Sequence, residues 1–448
     1  MSRSGVRLGR RWGNTIDTIG HQRNLWRTAL GTGSVPVSVS GVVERMPVAN
    51  YCLPGWRTSA SSEHVCQPPH PEMVMVVLES RLVRTYKIGL AIVSGLLANP
   101  AHAAGGASPS IGGHNVYYGD LHSHTSLSDG SGTPDQAFTH ARDAGKLDFF
   151  GVSEHDYWPE DMTDQKWNTL KDAANTHNQD GTFVAFWGFE WTSDVPPDGL
   201  GLGHFTVVNS EDYCNSTKEP TRTLNQFVTW LSTRDAVAIF NHPGQYNTTF
   251  DEFIFDHTDN IVGMELWNRS QDYYSKTGFH GDGYFDEALR EGWRIGAAGG
   301  QDNHGTDWGT KNEWRIAVLA PEKTRASILE ALKARRFYSS RDKNLALSFI
   351  CNGSQMGSSV GAGTLACEIE AFDGDNESFA SIELLRNGSV IETWTPNDTH
   401  PTLTSSVAGS VGDYFYVRVY QSNDWTAISS PIWVTSAESR GAGGDGGP

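Results

Sequence analysis

The sequence has little cysteine and a shortage of basic residues. It holds five Cys in 448 residues, and 34 Lys and Arg against 52 Asp and Glu. Such an acidic balance repels polyanions, so nucleic acid is not an expected partner. There is no P-loop, and the run Gly199-Leu200-Gly201-Leu202-Gly203 lacks the following helix that a dinucleotide site needs. These absences disfavour nucleotide-dependent and nucleic-acid-processing functions.

The first hundred residues differ from the rest of the chain. Residues 1–72 carry eight Arg and four acids without apolar periodicity, and we interpret them as a mis-assigned start or a disordered leader. A basic segment around Arg81 then precedes an apolar run over 88–97 and the small-residue segment Ala101-His102-Ala103, a pattern typical of a signal peptide. A membrane span needs roughly 20 apolar residues. We therefore predict a signal peptide at 73–103, a periplasmic or secreted protein, and no membrane span after cleavage.

Three cysteines follow the predicted signal peptide: Cys214, Cys351 and Cys367. An oxidising compartment permits a disulfide, and Cys351 and Cys367 lie in neighbouring predicted strands. We favour a bond between them over the alternative of two buried thiols. Cys214 has no evident partner and no metal-ligand spacing.

From Val116 onward, short apolar runs alternate with helix-like segments. The runs predict strands at 116–118, 149–152, 183–186, 205–208, 237–240, 261–266 and 295–298. Thr133-Pro134 opens the first helical segment with a capping residue and a first-turn proline. Further helical patterns cover 163–178, 223–235, 284–291 and 324–336. Such alternation predicts parallel strands with crossover helices, and hence an α/β barrel or open sheet over residues 114–342.

After Asp342 the helical patterns stop. Strand-like runs follow one another between turns, and Asn387-Gly388 is a strong hairpin signal. Residues 345–436 therefore predict a small, immunoglobulin-like β-sandwich. Residues 437–448 are predicted to be a disordered tail.

Histidines and acids recur where the predicted strands end. The set is His122, His124, Asp129, His155, Glu190, His204, His242, Asp302 and His304. The carboxyl ends of parallel strands meet on one face, so residues far apart in sequence can converge there. The pair His122 and His124, in extended chain, would point both imidazoles to the same side. We therefore predict that these nine residues form a metal centre.

The residue types in this set indicate particular metals and a reaction. Histidine-rich sites favour Zn, Mn or Fe over Mg or Ca, and the absence of Cys argues against a closed structural zinc site. A carboxylate such as Glu190 can bridge two ions, so nine ligands could hold two or three divalent ions. Such ions activate a bound water and polarise a scissile P=O or C=O, which indicates hydrolysis.

The same residues resemble those of the polymerase and histidinol phosphatase (PHP) superfamily. The resemblance rests on Gly119-Asp120-Leu121-His122-Ser123-His124-Thr125, on the separate His155, Glu190, His204 and His242, and on Asp302-Asn303-His304. It covers residues 116–342 and implies a distorted seven-stranded β/α barrel. It also implies three metal sets: His122, His124, Glu190 and Asp302; Glu190, His204 and His242; and Asp129, His155 and His304. Some members of the superfamily carry His in place of Asp129.

The predicted sandwich carries a second, shorter resemblance. Tyr414-Phe415-Tyr416-Val417-Arg418-Val419-Tyr420-Gln421 and Ser429-Ser430-Pro431-Ile432-Trp433-Val434 resemble the C-terminal part of PHP metallohydrolases related to carbaryl hydrolases, which cleave aryl carbamates. Family membership does not fix a substrate.

We therefore expect an exported metal-dependent hydrolase that acts on a small-molecule phosphoester. A carbamate or carboxylic aryl ester is the alternative substrate, and a non-catalytic periplasmic metal or glycan binder is a second alternative. Glu190, Asp302 and His304 are the expected catalytic residues. The sequence makes no prediction of the oligomeric state.

Several other residues are candidates for supporting roles. Asp120 and Asp156, each beside a ligand histidine, could hold an imidazole nitrogen, or could be exposed loop acids. Arg269 and Arg341 could bind a phosphate. Four tryptophans that follow strand ends could line a pocket for an aryl or sugar group, although we expect two of them only to fill space: Trp158, Trp191, Trp267 and Trp308.

Overall fold

The structure of the protein is a computed structural model that describes residues 108–194 and 199–436. The predicted leader, signal peptide and tail, at 1–72, 73–103 and 437–448, lie outside the described residues, and they stay predictions. None of the described helices is both long and apolar enough to span a membrane.

Threonine precedes four of the five α-helices found in the described residues. The helices are α1 (Pro134–Asp143), α2 (Asp164–His177), α3 (Leu224–Leu231), α4 (Tyr284–Arg290) and α5 (Arg325–Lys333). The hydroxyl groups of four threonines each accept a backbone N–H that is free at the helix start: Thr133, Thr163, Thr223 and Thr324. In α1 and α3 a glutamine side chain also accepts the N–H of the threonine, which completes a capping box.

Twenty-one strands make up most of the regular structure in the described residues. The first eleven are β1 (Ser110–Ile111), β2 (His114–Asp120), β3 (Phe149–His155), β4 (Val184–Ser193), β5 (Gly203–Val208), β6 (Val237–Asn241), β7 (Ile261–Asn268), β8 (Gln271–Asp272), β9 (Gly296–Gly300), β10 (Arg315–Ala320) and β11 (Phe337–Ser340). The last ten are β12 (Leu345–Cys351), β13 (Ser354–Gln355), β14 (Ser359–Gly361), β15 (Gly363–Asp373), β16 (Phe379–Arg386), β17 (Ser389–Trp394), β18 (Thr402–Gly409), β19 (Tyr414–Gln421), β20 (Thr426–Ser429) and β21 (Ile432–Thr435).

These strands do not form the predicted seven-stranded β/α barrel, and that prediction is wrong. Seventeen strands belong to one large mixed sheet. β2, β3 and β4 pair in parallel, but β5 runs antiparallel to β4 and to β6. β10 runs antiparallel to β2 and to β11. Five helices in the described part of the chain are too few to provide the crossovers of a seven-stranded parallel barrel.

The error arises because a short apolar run predicts a buried strand without fixing its direction. Both β5 and β6 are buried along their whole length. Only residues 194–202 separate β4 from β5. A parallel crossover needs about a dozen residues or more, so this connection is too short for one.

The C-terminal strands, predicted as a small β-sandwich over 345–436, are divided between two sheets. β12, β13, β15 and β18 form a four-stranded antiparallel sheet. Other C-terminal strands belong to the large sheet, because β20 pairs with β11 and β19 pairs with β16 and β20. Residues of both sheets, including Phe349 and Val417, pack into one hydrophobic cluster. The C-terminal strands are thus continuous with the sheet that carries the histidines.

Cys351 and Cys367 form the predicted disulfide. They are directly opposite partners in the pairing of β12 with β15. Cys214 is buried and free.

We expect a double variant, Cys351→Ala with Cys367→Ala, to lose about 3 kcal/mol of free energy of unfolding. The two cysteines are 16 residues apart, and closing a loop of about that length lowers the entropy of the unfolded chain by a corresponding amount. Denaturant unfolding followed by tryptophan fluorescence would measure the loss. As a control, a reducing agent should lower the unfolding midpoint of the wild type and leave that of the double variant unchanged. An unchanged midpoint in the reduced wild type would contradict this expectation.

Candidate metal centre

The structure brings all nine predicted ligand residues into one cluster. Six strands and one loop deliver them: His122 and His124 follow β2, His155 ends β3, Glu190 lies in β4, His204 lies in β5, His242 follows β6, Asp302 and His304 follow β9, and Asp129 lies in the loop before α1. The strand ends therefore converge even though the strands do not form a parallel barrel.

Glu190 lies at the centre of the cluster and is 1% exposed. Its neighbours in β4, Phe189 and Trp191, belong to the hydrophobic core, so strand alternation turns the carboxylate to the opposite face. Asn241 donates a hydrogen bond to its Oε1 at 2.8 Å. A carboxylate oxygen lies 3.1–3.4 Å from a ring nitrogen of each of five histidines: His122, His124, His155, His204 and His242.

Two further carboxylates extend the cluster. Asp302 Oδ1 lies 3.3–3.6 Å from ring nitrogens of His122, His124 and His304. Asp129 Oδ1 lies 3.1 Å from His304 Nε2 and 3.6 Å from His155 Nε2. The acids are thus interleaved with the imidazoles.

The electrostatics of the cluster require positive charge among these acids. Burial by itself disfavours the charged form of Glu190 and Asp302, yet the surrounding histidines hold both pKa values below the ordinary range. Although burial acts in the opposite direction, the carboxylates of Asp302 and Glu190 raise the pKa of His124 to about 9. His155 differs, because burial lowers its pKa to about 3. Divalent cations would supply the charge that protonated imidazoles otherwise provide.

The donor set fits divalent metal ions. Three buried ring nitrogens lack a hydrogen-bond partner within the described part of the chain: both nitrogens of His124 and Nδ1 of His242. Leaving such groups unpaired is costly. Potential ligand atoms lie within 4.8 Å of one another in four groups: His124, Asp129, His155 and His304; His122, His242 and Asp302; His122, His124 and Glu190; and Glu190, His204 and His242. Imidazole and carboxylate donors in this mixture suit Zn, Mn or Fe.

Glu265 is a site residue that the sequence analysis missed. Its Oε1 lies 2.8 Å from His122 Nδ1, and its Oε2 accepts the backbone N–H of His242 and the side-chain amide of Asn268. A carboxylate that holds the second nitrogen of a ligand histidine fixes the ring orientation and raises its basicity. The available signal was a single acid inside the apolar run 261–266.

Two other missed residues hold ligand imidazoles from β4 and its end. Thr192 Oγ1 lies 2.8 Å from His155 Nδ1. Asp194 Oδ1 lies 3.1 Å from His204 Nε2, and its other oxygen accepts the hydroxyl of Tyr157. β4 therefore provides both the central carboxylate and partners for two histidines.

Asp120 and Asp156 are buried residues, not exposed loop acids. Asp120 accepts hydrogen bonds from the backbone of His122 and Gln301, so it joins the end of β2 to the end of β9. Asp156 accepts the backbone N–H groups of Thr192 and Ser216. Both acids position the backbone around the ligands; neither forms a hydrogen bond with an imidazole in the described structure.

Three residues of the site adopt left-handed backbone conformations. The φ angles are 29° for His242, 55° for Arg269 and 44° for Asp302. Such conformations cost roughly 1–3 kcal/mol for residues other than glycine, and they concentrate at functional sites. The strained residues follow β6, β7 and β9, at the edge of the sheet where the candidate ligands converge.

The cluster opens into a cleft of about 1160 Å³. Seven of the nine ligand side chains are 11% exposed or less, whereas Asp129 is 27% and His304 is 24% exposed. A substrate in the cleft would therefore approach the cluster from the side of these two residues.

Only one of the four tryptophans suggested by the sequence is among the described residues that line the cleft. Three of the four candidates are at most 1% exposed and fill the core, one more than expected: Trp191, Trp267 and Trp308. Trp158 is 47% exposed and does line the cleft. Trp314 and Trp425, which the sequence analysis missed, complete the wall together with Arg341.

The two candidate arginines have different surroundings in the cleft. Arg269 is held by Asp302 at 2.9 Å, and its Nη2 lies 2.8 Å from His304 Nδ1. Arg341 packs between Trp314 and Trp425, with its guanidinium carbon 5.4 Å from each ring centre. Its Nε is buried without a hydrogen-bond partner, and none of the described acids forms an ion pair with it. Arg341 is therefore a fixed cation available to a ligand.

Comparison with known proteins gives partial matches. Residues 136–227 match a family model described as a protein of unknown function (DUF3604). An uncharacterized protein of Chlamydia muridarum is 22% identical over 363 residues, which are 71% of this chain and 57% of that protein. One of Chlamydia trachomatis is 23% identical over 359 residues, with the same coverage. The chain thus spans little more than half the length of these curated relatives.

Two solved structures are similar over parts of the chain. A two-domain protein from Bacteroides vulgatus, containing a predicted PHP-like metal-dependent phosphoesterase, is 17% identical and has a TM-score of 0.40, covering 70% of this chain and 92% of that one. A lesion-specific endonuclease from Pyrococcus furiosus is 14% identical and has a TM-score of 0.29, covering 49% of this chain and 56% of that one. Likeness at this level assigns no function, so the functional argument rests on the residues of the cleft.

We expect Glu265→Gln to weaken metal binding by roughly 10- to 100-fold, because it removes the charged partner of His122 while leaving every ligand in place. Metal retained after dialysis against a graded chelator, measured by elemental mass spectrometry, would report the loss. The matched control is Glu291→Gln, which changes an exposed glutamate at the end of α4. Equal retention by both variants would show that Glu265 does not support the centre.

Proposed function

We propose that this chain is a metal-dependent hydrolase that acts on a phosphoester of a small molecule, with a carbamate or carboxylic aryl ester as the alternative substrate. One observation carries the proposal: Glu190 and eight other ligand-type side chains form one cluster at the base of an open cleft. The resemblance of the same residues to the PHP superfamily supports it. Assignment to the carbaryl-hydrolase-related branch remains part of the alternative.

The residues of the cleft are suited to this reaction. Divalent ions held by the cluster would supply Lewis acidity toward the ester and lower the pKa of a water. Glu190 would be one of the residues that hold these ions, because its two oxygens face different histidines of the cluster. Arg269 fixes Asp302 and the ring of His304, and the exposed ring of His304 faces the space where a substrate would lie.

The charge of the cleft wall favours a phosphoester over a neutral ester. Arg341 offers a guanidinium that no acid of the described residues neutralises, and two indoles hold it in place. A fixed cation in the wall of a cleft attracts an anionic substrate group and gives no such advantage to a neutral one. The exposed Trp158 would provide an apolar surface for the rest of the substrate, which suits an aryl group in either chemistry.

We also propose export to the periplasm or the exterior. Support comes from the signal-peptide pattern at 73–103 and from the disulfide between Cys351 and Cys367, since disulfides persist mainly in oxidising compartments.

Glu190→Gln should abolish hydrolysis and lower the bound metal, because a neutral amide cannot bridge two cations. The assay would combine metal analysis with four substrates: an aryl phosphate, an aryl phosphodiester, an aryl carbamate and an aryl acetate. Glu291→Gln is the matched control and should keep full activity. Full activity of Glu190→Gln on any substrate that the wild type cleaves would end the proposal of a multi-metal hydrolase.

Arg341→Met should raise KM for the aryl phosphate about tenfold, equivalent to about 1.4 kcal/mol, and leave KM for the aryl acetate unchanged. The reason is that the substitution keeps a long apolar side chain between Trp314 and Trp425 but removes the charge. Arg222→Met, at an exposed position before α3, is the control. Equal changes for both substrates would show that the charge of Arg341 does not select a phosphate group, and would remove the reason for preferring a phosphoester.

A further inference from the structure

A second group of acids lies apart from the histidines, between β11 and the C-terminal strands. Carboxylate oxygens of Asp342, Asp373 and Glu377 lie within 4.8 Å of one another. Asp342 is 4% exposed and Asp373 is fully buried. No lysine or arginine of the described residues forms an ion pair with any of the three. Three acids without a compensating cation are costly to bury together.

Gln421 provides an independent observation at the same place. It is 2% exposed, and its Nε2 donates to Asp342 at 3.0 Å, to Asp373 at 2.8 Å and to Glu377 at 3.4 Å. Its Oε1, the other atom of the same amide, has no hydrogen-bond partner. If the Gln421 amide were rotated by half a turn, its Oε1 would face the three carboxylates in place of Nε2. Four oxygens facing one another repel, unless a cation lies between them.

The local backbone holds the acids in place. Residues 373–377 read Asp-Gly-Asp-Asn-Glu, and Asp373 Oδ1 accepts the backbone N–H groups of Asp375 and Glu377 at 2.8 Å. The remaining oxygen, Oδ2, faces Gln421. Asn423 donates to Glu377, and the backbone N–H of Asn344 donates to Asp342 Oδ1. The side-chain Oδ1 of Asn344 is also buried without a partner.

We propose that Asp342, Asp373, Glu377 and Gln421 form a calcium site that is separate from the histidine centre. Once the Gln421 amide is rotated, all of the potential donors are oxygens, which suit hard cations, whereas the histidine cluster suits Zn, Mn or Fe. Among hard cations, Ca²⁺ accepts irregular cages of protein oxygens, while Mg²⁺ keeps several waters and needs near-octahedral geometry.

The position of this site gives it a structural consequence. It joins the segment after β11 to the end of β15 and to the end of β19. Asp342 directly follows Arg341, and the backbone N–H of Gln421 donates to the carbonyl of Trp425. Calcium would therefore hold in place the two elements that carry Arg341 and Trp425 into the wall of the cleft.

Isothermal titration of metal-free protein with CaCl2 tests the proposal. We expect one Ca²⁺ per chain at this site, with an affinity at least tenfold weaker in Glu377→Gln and unchanged in Glu368→Gln, which alters an exposed glutamate of β15. His242→Ala should also leave the calcium affinity unchanged, because it disturbs only the histidine centre. This variant separates failure of the calcium site from failure of the proposed hydrolase.

Thermal unfolding provides a second measurement. CaCl2 should raise the Tm of the wild type and of Glu368→Gln by several degrees, and should leave the Tm of Glu377→Gln nearly unchanged, because binding stabilises only the folded state. Two results would overturn the proposal: no calcium uptake by the wild type, or equal calcium affinity in the wild type and Glu377→Gln. The first would mean that the acids hold no calcium, and the second that calcium binds elsewhere on the protein.

Discussion

Five imidazoles surround the buried carboxylate of Glu190, and this contact dictates the arrangement of the strands around it. A buried charge is costly unless it is paired, and histidines from the ends of β2, β3 and β6 and from the start of β5 all lie within reach of Glu190. The opposite face of β4 is fixed by aromatic packing, in which Trp191 stacks on Phe227 at 4.8 Å. β4 therefore has one face packed in the apolar core and one face that carries the charge of Glu190. The packed face holds Glu190 in a fixed position for the residues that surround it.

The convergence of the candidate ligand residues could be predicted because their chemistry is unusual for their positions. A histidine or acid at the end of an apolar run is conspicuous, and nine such cases define a pattern that does not require the fold to be known. Glu265 was less conspicuous, because a single glutamate in a strand carries no spacing signal. Trp425 and Arg341 could not be recognised as a pair, since only the pairing of β20 with β11 brings their segments together.

The helices were predicted for a local reason and the sheet was missed for a non-local one. Thr133 and Thr223 cap their helices through residues three positions away, which a sequence shows directly. Strand direction instead depends on which strands pair, and apolar runs such as those of β5 and β6 are the same in either direction. The implied barrel therefore failed although the implied ligands converged. Convergence at one end of a mixed sheet is sufficient to assemble them.

The hydrogen bonds between β11 and β20 have a further consequence, for how the chain can be divided. If it were cut after Asp342, β11 would become an open edge with unpaired N–H and C=O groups, a template for pairing between molecules. The cut would also remove Thr426, whose carbonyl accepts the backbone N–H of Arg341. The amino-terminal part would lose solubility and cleft geometry together. A shortened chain that keeps every candidate metal ligand would therefore still lack the hydrogen bonds that position the cleft wall.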